Sequence, residues 1–209
     1  MILKIKTPKN KFDVEIYSKF ILKQEIKTDK KLFNEMCKQG CKNYNKKYSC
    51  PPFVPNLIEL IKSKQGMYVV LFKCDLNQIN STEYNKMRIA NVSMKSRSIK
   101  LMRILEQKFN TIFLSTGSCN LCKPCKLKLG KPCGHPDKRR YCLESTGVDC
   151  DKLCKDLFNV PMLWYKDKKA PKYTCVVCGL VCNLVEIKEI EKELNRLVPE
   201  IFYETKNQS

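Results

Sequence analysis

A chain of 209 residues, 43% of them hydrophobic, is long enough for one sizeable core with a small metal-organised region beside it. Its formal charge of +19 suits either a solvated lysine-rich surface or an acidic partner, and the presence of a single histidine, His135, excludes sites built on several imidazoles and argues against a histidine acid–base relay. The N-terminus lacks a signal-peptide core and the longest apolar run, 67–72, is too short to span a bilayer, so the fourteen cysteines are expected in a reducing cytoplasm, serving metal binding or catalysis rather than disulfides.

Residues 12–26 alternate weakly and predict one or two strands. Asp29 caps a predicted helix over 30–36, with Leu32, Phe33 and Met36 on one face and Cys37 at its end. Cys41 follows Gly40. Cys50-Pro51-Pro52-Phe53-Val54-Pro55 fixes a stiff extended loop, because proline locks φ and restricts the residue before it. Asn56 opens a helix through Lys64, and the apolar run 67–73 predicts a buried strand. Ser81 or Thr82 starts the longest helix, which runs to about Phe109 on Ile99, Met102, Leu105 and Phe109. A second buried strand follows at 111–115.

Strand, helix and strand in that order predict a parallel pair joined by a right-handed crossover. The expected fold is therefore α/β, a mixed sheet with flanking helices, forming one domain over 1–209 with cysteine-rich metal-binding segments at 37–55 and 117–150. Gly117 opens the second segment at the carboxyl end of a strand, where open α/β sheets place their ligands. Downstream, short helices are predicted at 140–146 and 150–158, strands at 161–165 and 173–181, a surface loop at 166–172 and an amphipathic helix at 186–198.

The most informative stretch is Cys119-Asn120-Leu121-Cys122-Lys123-Pro124-Cys125, with Cys133 following between Pro132 and Gly134. C-x2-C-x2-C with a fourth cysteine in reach is the ligand order of a [4Fe–4S] cube: short steps wrap three iron corners and a more distant thiolate supplies the last. The bacterial ferredoxin order has three residues before its fourth cysteine, whereas here seven intervene, so the match is partial. Zinc competes, since C-x2-C pairs also build tetrahedral sites, but zinc ribbons separate their two knuckles and here a third cysteine follows at once.

Cys37, Cys41 and Cys50 form a second group, C-x3-C-x8-C. Three thiolates on a cube leave one iron open to a substrate; the alternatives are a fourth ligand from elsewhere, Cys74 or Cys142, or a structural zinc. The surrounding Lys, Asn and Gly residues argue against a hydrophobic core there. Cys175 and Cys178 are three apart on a predicted strand, point to opposite faces and cannot share an ion, so they read as core residues. Cys150 and Cys154 share a helix face and are expected to pack. Among carboxylates Glu144 is the one acid–base candidate, weighed against a plain surface role. Tyr44 and Tyr48 can donate hydrogen bonds to cluster sulfurs, and Arg139 and Arg140 can hold an anion or be solvated.

Taken together, these residues resemble a cysteine-rich family of anaerobic archaea and bacteria, the predicted metal-binding proteins of domain of unknown function 2284. The resemblance is carried by Cys37, Cys41 and Cys50-Pro51-Pro52-Phe53-Val54-Pro55, by Gly117-Ser118-Cys119 with Cys122 and Cys125, by Pro132-Cys133-Gly134-His135-Pro136, and by Leu143-Glu144-Ser145-Thr146-Gly147-Val148-Asp149. It implies that Cys37, Cys41, Cys50, Cys119, Cys122, Cys125 and Cys133 are metal ligands, and it implies no reaction. The chain departs from the pattern at Gly134-His135, where Arg usually follows the cysteine, and at Cys142, where Ser is commoner; the latter leaves an extra ligand open.

Three functions follow as expectations. The first is a soluble protein carrying one or two [4Fe–4S] clusters that transfers electrons to, or gives redox support to, a partner enzyme in anaerobic metabolism. The second is an open-iron enzyme handling sulfur or a small substrate, including one carried on RNA. The third is a zinc-stabilised binding module. The basic surface suits an acidic redox partner; RNA is the alternative, although only six of the forty basic residues are Arg, the side chain that reads bases and grips phosphate bidentately.

Overall fold

The computed structural model describes residues 1–7 and 9–203. Strands β1 (Ile2–Lys6) and β2 (Lys11–Leu22) alternate buried and exposed residues, as a strand with one face on a core must, and pair antiparallel. β1 goes beyond the sequence-based expectation, its five residues being too few for a periodic signal. Helix α1 (Lys30–Gly40) begins where predicted: Asp29 Oδ1 accepts from the Leu32 amide at 2.8 Å, and Cys37 lies in the last turn. Its expected apolar face is in water, with Leu32 and Met36 51% and 56% exposed. Helix α2 (Leu57–Leu60) is a single turn behind Asn56 and stops short of Lys64.

Next come β3 (Gly66–Asp75), α3 (Glu83–Phe109), β4 (Ile112–Leu114), α4 (Cys150–Phe158), β5 (Tyr173–Cys182) and α5 (Ile187–Tyr203). The segment 140–146 forms only a short 3-10 turn at Glu144–Thr146 instead of a helix. No strand forms at 161–165: Pro161 has no amide to donate, Asp151 takes the Met162 N–H at 2.6 Å, and Trp164 is 69% exposed.

The five strands lie in the order β1-β2-β3-β5-β4, and all four ladders are antiparallel rather than mixed. β3 and β4 do run in the same direction, as a crossover through α3 requires, but they are not neighbours. β5 inserts between them, pairing Val69 with Gly179 on one side and Leu114 with Gly179 on the other. β5 enters last in the chain and is apolar on both faces, so it fits the central gap better than an edge.

Helices cover both faces. Tyr68, Val70 and Phe72 of β3 pack with α3 and α5, while Met67, Val69 and Leu71 pack with α2, α4 and the 143–148 turn. The cysteines expected to pack, together with Cys182 and the spare ligand candidate Cys74, are divided between these layers. Cys74, Cys178 and Cys182 lie in the first core and Cys150 and Cys154 in the second, with Cys175 packed on the second, on the face opposite Cys178.

β4 is an edge strand, and the cysteine segment leaves from its end and returns to it. Ser115 and Cys142 form a parallel bridge, with the Ser115 amide on the Tyr141 carbonyl at 2.7 Å and the Leu143 amide on the Ser115 carbonyl at 3.3 Å. Between these points, over 116–142, no residue is buried. The returning strand is anchored by Glu106 of α3, which is 4% exposed. Glu106 accepts from Arg103 at 2.9 Å, from the Phe113 amide at 2.7 Å and from Arg140 Nε.

Candidate metal centre

The short steps between Cys119, Cys122 and Cys125 turn the loop so that all three line one small cavity, and Cys133 reaches the same wall. Lys47, Tyr48, Ser49, His135 and Arg139 complete much of the lining, and no carboxylate takes part. Soft sulfur donors without hard oxygen ligands fit iron–sulfur or zinc and do not fit magnesium or calcium. Among the described residues, no three or more Cys, His, Asp or Glu side chains converge as tightly as a single ion would draw them. The thiols are distributed around the cavity wall, and all fourteen cysteines are free of disulfides.

Two loops build this wall, and polar contacts tie them together. The Lys47 ammonium donates to Ser118 Oγ at 3.0 Å, the Cys119 carbonyl at 2.9 Å and Asn120 Oδ1 at 3.1 Å. Ser49 Oγ accepts from the Cys119 amide at 3.0 Å and sits 3.9 Å from Cys50 Sγ. The Tyr48 hydroxyl donates to the Lys131 carbonyl at 2.9 Å, so its proton is used on backbone and not on a cluster sulfur as the sequence suggested. Arg139 lies 5.9 Å from the Tyr48 ring and 5.3 Å from the Tyr141 ring and donates to Tyr141 OH at 2.8 Å, which presents a guanidinium to the cysteines. Arg140 is engaged with Glu106. The segments hold two cis prolyl bonds, Pro51-Pro52 and Lys123-Pro124.

Cys37, Cys41 and Cys50 gather separately. The Cys41 amide bonds to the Cys37 carbonyl at 3.0 Å, and successive turns fold 41–53 back, with the Asn45 amide on the Pro51 carbonyl at 2.8 Å. Burial pushes the Cys50 thiol up, Ser49 partly offsetting it, with Cys41 and Cys37 close enough to add to the rise. Burial likewise pushes Cys37 up, aided by Cys41 and Glu144 and opposed by Lys30. Cys142, pushed up to about 12 by burial, feels both Glu144 and Cys50. Of the two spare cysteines weighed as a fourth ligand, Cys142 is close enough to Cys50 to feel its charge, whereas Cys74 is fully buried in the core. Burial thus favours the neutral thiol at Cys37, Cys50 and Cys142, and a bound cation would favour thiolate instead.

Helix α1 reaches this position because its start is fastened to the 144–147 turn. The Asp29 amide donates to the Gly147 carbonyl at 2.8 Å, and Lys30 Nζ donates to the Ser145 carbonyl. Gly147 has φ +99, and a Cβ there would lie 2.9 Å from Lys30 Cα, so only glycine allows the contact. The same turn places Glu144 beside Cys37, Cys142 and Cys150. Sequence reasoning missed Lys47, Ser49 and Leu121 as parts of the centre; their adjacency to cysteines was the available signal.

A family model described as predicted metal-binding protein (DUF2284) matches residues 19–181. That span contains every cysteine of both groups. No curated protein and no solved structure gives a significant match.

Proposed function

The chain belongs to the family of predicted metal-binding proteins (DUF2284), and from that premise we propose that it is a [4Fe–4S] protein that passes electrons to a partner enzyme. One observation carries the reading: Cys119, Cys122, Cys125 and Cys133 line a single cavity free of carboxylates. These four thiols would hold one cluster, and Cys37, Cys41 and Cys50 would hold a second, with Cys142 nearby as a further thiol. When bound, such a cube supplies one-electron redox capacity.

The remaining residues position and tune. Lys47 and Ser49 lock the two loops together, so both cysteine groups respond to the same backbone. Arg139 holds a fixed positive charge at the cavity. None of residues 116–142 is buried, which leaves the centre near the surface, where an electron carrier needs it. The lysine-rich surface suits an acidic partner. Within the chain, no described helix is long and apolar enough to cross a membrane.

A second reading, an enzyme acting at the Cys37, Cys41 and Cys50 group, is supported by Glu144, whose carboxylate stands beside Cys37 and Cys142 and can exchange a proton with a ligand there. Iron, acid-labile sulfide and zinc content of anaerobically purified protein, with visible spectra before and after dithionite, tests both readings. About four or eight iron and sulfide per chain with a bleachable band supports the cluster. Stoichiometric zinc without colour overturns it in favour of a zinc-stabilised module.

A further inference from the structure

Leu121 lines a second cavity besides that of the cysteines. It measures about 460 Å3 and is bounded by Arg103 and Glu106 of α3, by Thr111, and by Lys138 and Arg140 from the segment after Cys133. That volume is typical of a small-molecule site. Beside the side-chain amides of Gln107 and Asn110, its charged groups with capacity to spare are donors. Arg103 gives one nitrogen to Glu106 at 2.9 Å and another to the Lys138 carbonyl at 2.6 Å. Arg140 gives Nε to Glu106 and Nη1 to the Asp137 and Arg139 carbonyls. Each guanidinium has five N–H groups, so donors remain on both.

Glu106 is already occupied by two arginines and the Phe113 amide, and offers a ligand little. Three cations against this one carboxylate leave the cavity with two positive charges. Thr111 supplies a second, independent sign: it is 7% exposed, and its hydroxyl is buried without any hydrogen-bond partner. A buried polar atom in that state is one that a bound ligand or an ordered water would satisfy.

We infer that this cavity binds a phosphate dianion, free or as a small monoester. A phosphate monoester dianion carries only acceptor oxygens and hydrogen phosphate carries three beside one hydroxyl; either takes paired N–H bonds from guanidinium and matches the two charges. A monocarboxylate leaves one charge unbalanced, and a cation is repelled. Through Leu121 the phosphate stands one side chain from the cysteine cavity, so a phosphorylated ligand would be presented to the metal centre. The inference holds whichever metal the cysteines bind.

The test is calorimetric titration of the full chain, purified anaerobically, with inorganic phosphate, adenosine monophosphate and acetate at one fixed ionic strength. One saturable site is expected for the phosphates, with acetate weaker. Lys138→Ala should weaken phosphate binding about tenfold, the loss of one charged hydrogen bond, and Thr111→Val about threefold with the side-chain shape kept. Neither residue belongs to the ion pairs that anchor Glu106, and thermal melts check that both variants fold. Lys4→Ala, on β1 at the opposite sheet edge, should change nothing. Tighter binding of the monophosphate than of the free ion makes the ligand an ester, and the reverse order makes it inorganic phosphate; either supports the site. Absence of saturable binding, acetate binding as tightly as phosphate, or equal weakening by Lys4→Ala overturns it.

Discussion

Lys47, one of the eight residues between Cys41 and Cys50, bridges two cysteine groups that are distant in sequence. Its ammonium holds three acceptors of the 118–120 turn between 2.9 and 3.1 Å. Replacing it by methionine keeps the aliphatic stem and removes all three bonds. Because Lys47 is partly exposed, the loss should fall near the low end for charged hydrogen bonds, about 1.5 kcal/mol. Lys47→Met is therefore expected to release metal to a chelator roughly tenfold faster than the parent chain does, with stopped-flow absorbance as the readout and unchanged rates as the contrary result. The cysteines themselves were legible as ligand candidates, because two-residue spacing is a local property. Lys47 was not, because its partners lie about seventy positions away. Tyr48 was misjudged for the same reason, its hydroxyl being claimed by the distant Lys131 carbonyl.

Elements bring the second cysteine group into place. α1 is pinned to the 144–147 turn through Gly147, where a methyl group would meet Lys30 backbone atoms at 2.9 and 3.0 Å and φ is +99. Gly147→Ala should shift α1, destabilise the chain by about 1–3 kcal/mol in urea unfolding, and lower metal bound at Cys37, Cys41 and Cys50. Metal at Cys119, Cys122, Cys125 and Cys133 should persist, so element analysis beside Cys50→Ala and Cys122→Ala variants separates the two losses. On the other side of the sheet, Lys108 of α3 and Arg196 of α5 hold Glu193 at 2.8 and 2.7 Å. Arg196 first and Lys108 second lower the Glu193 carboxyl from the ordinary 4.5 to about 2. A folded value below the unfolded one means that this contribution is complete above about pH 4.5 and fades as pH falls toward 2. The stability difference between the parent chain and Glu193→Gln, followed by denaturant titration, should accordingly shrink across that window. A difference independent of pH would show that the tie is not electrostatic.

At the scale of the whole molecule, a core and a loop region are stabilised by different means. β3 is buried on both faces between two helical layers, whereas the 116–142 segment is half-buried at most and rests on polar ties and its cysteines. Removing metal should thus loosen the cysteine loops and leave the sheet folded. Hydrogen exchange after chelation is expected to lose protection around 117–140 while the β3 and β5 amides keep theirs; loss throughout the chain would mean that the metal supports the core as well. The sequence by itself determined the cysteine spacings, the long α3, the buried β3 and the helix caps at Asp29 and Asn56, because each depends on residues within a few positions of one another. Only the tertiary structure decided that β5 lies between β3 and β4, that Cys142 lies near Cys50 while Cys74 is buried in the core, and that Lys47 and Glu106 hold the loops. Those outcomes depend on which distant surfaces bury each other and which distant charges meet, and neighbouring residues do not encode that.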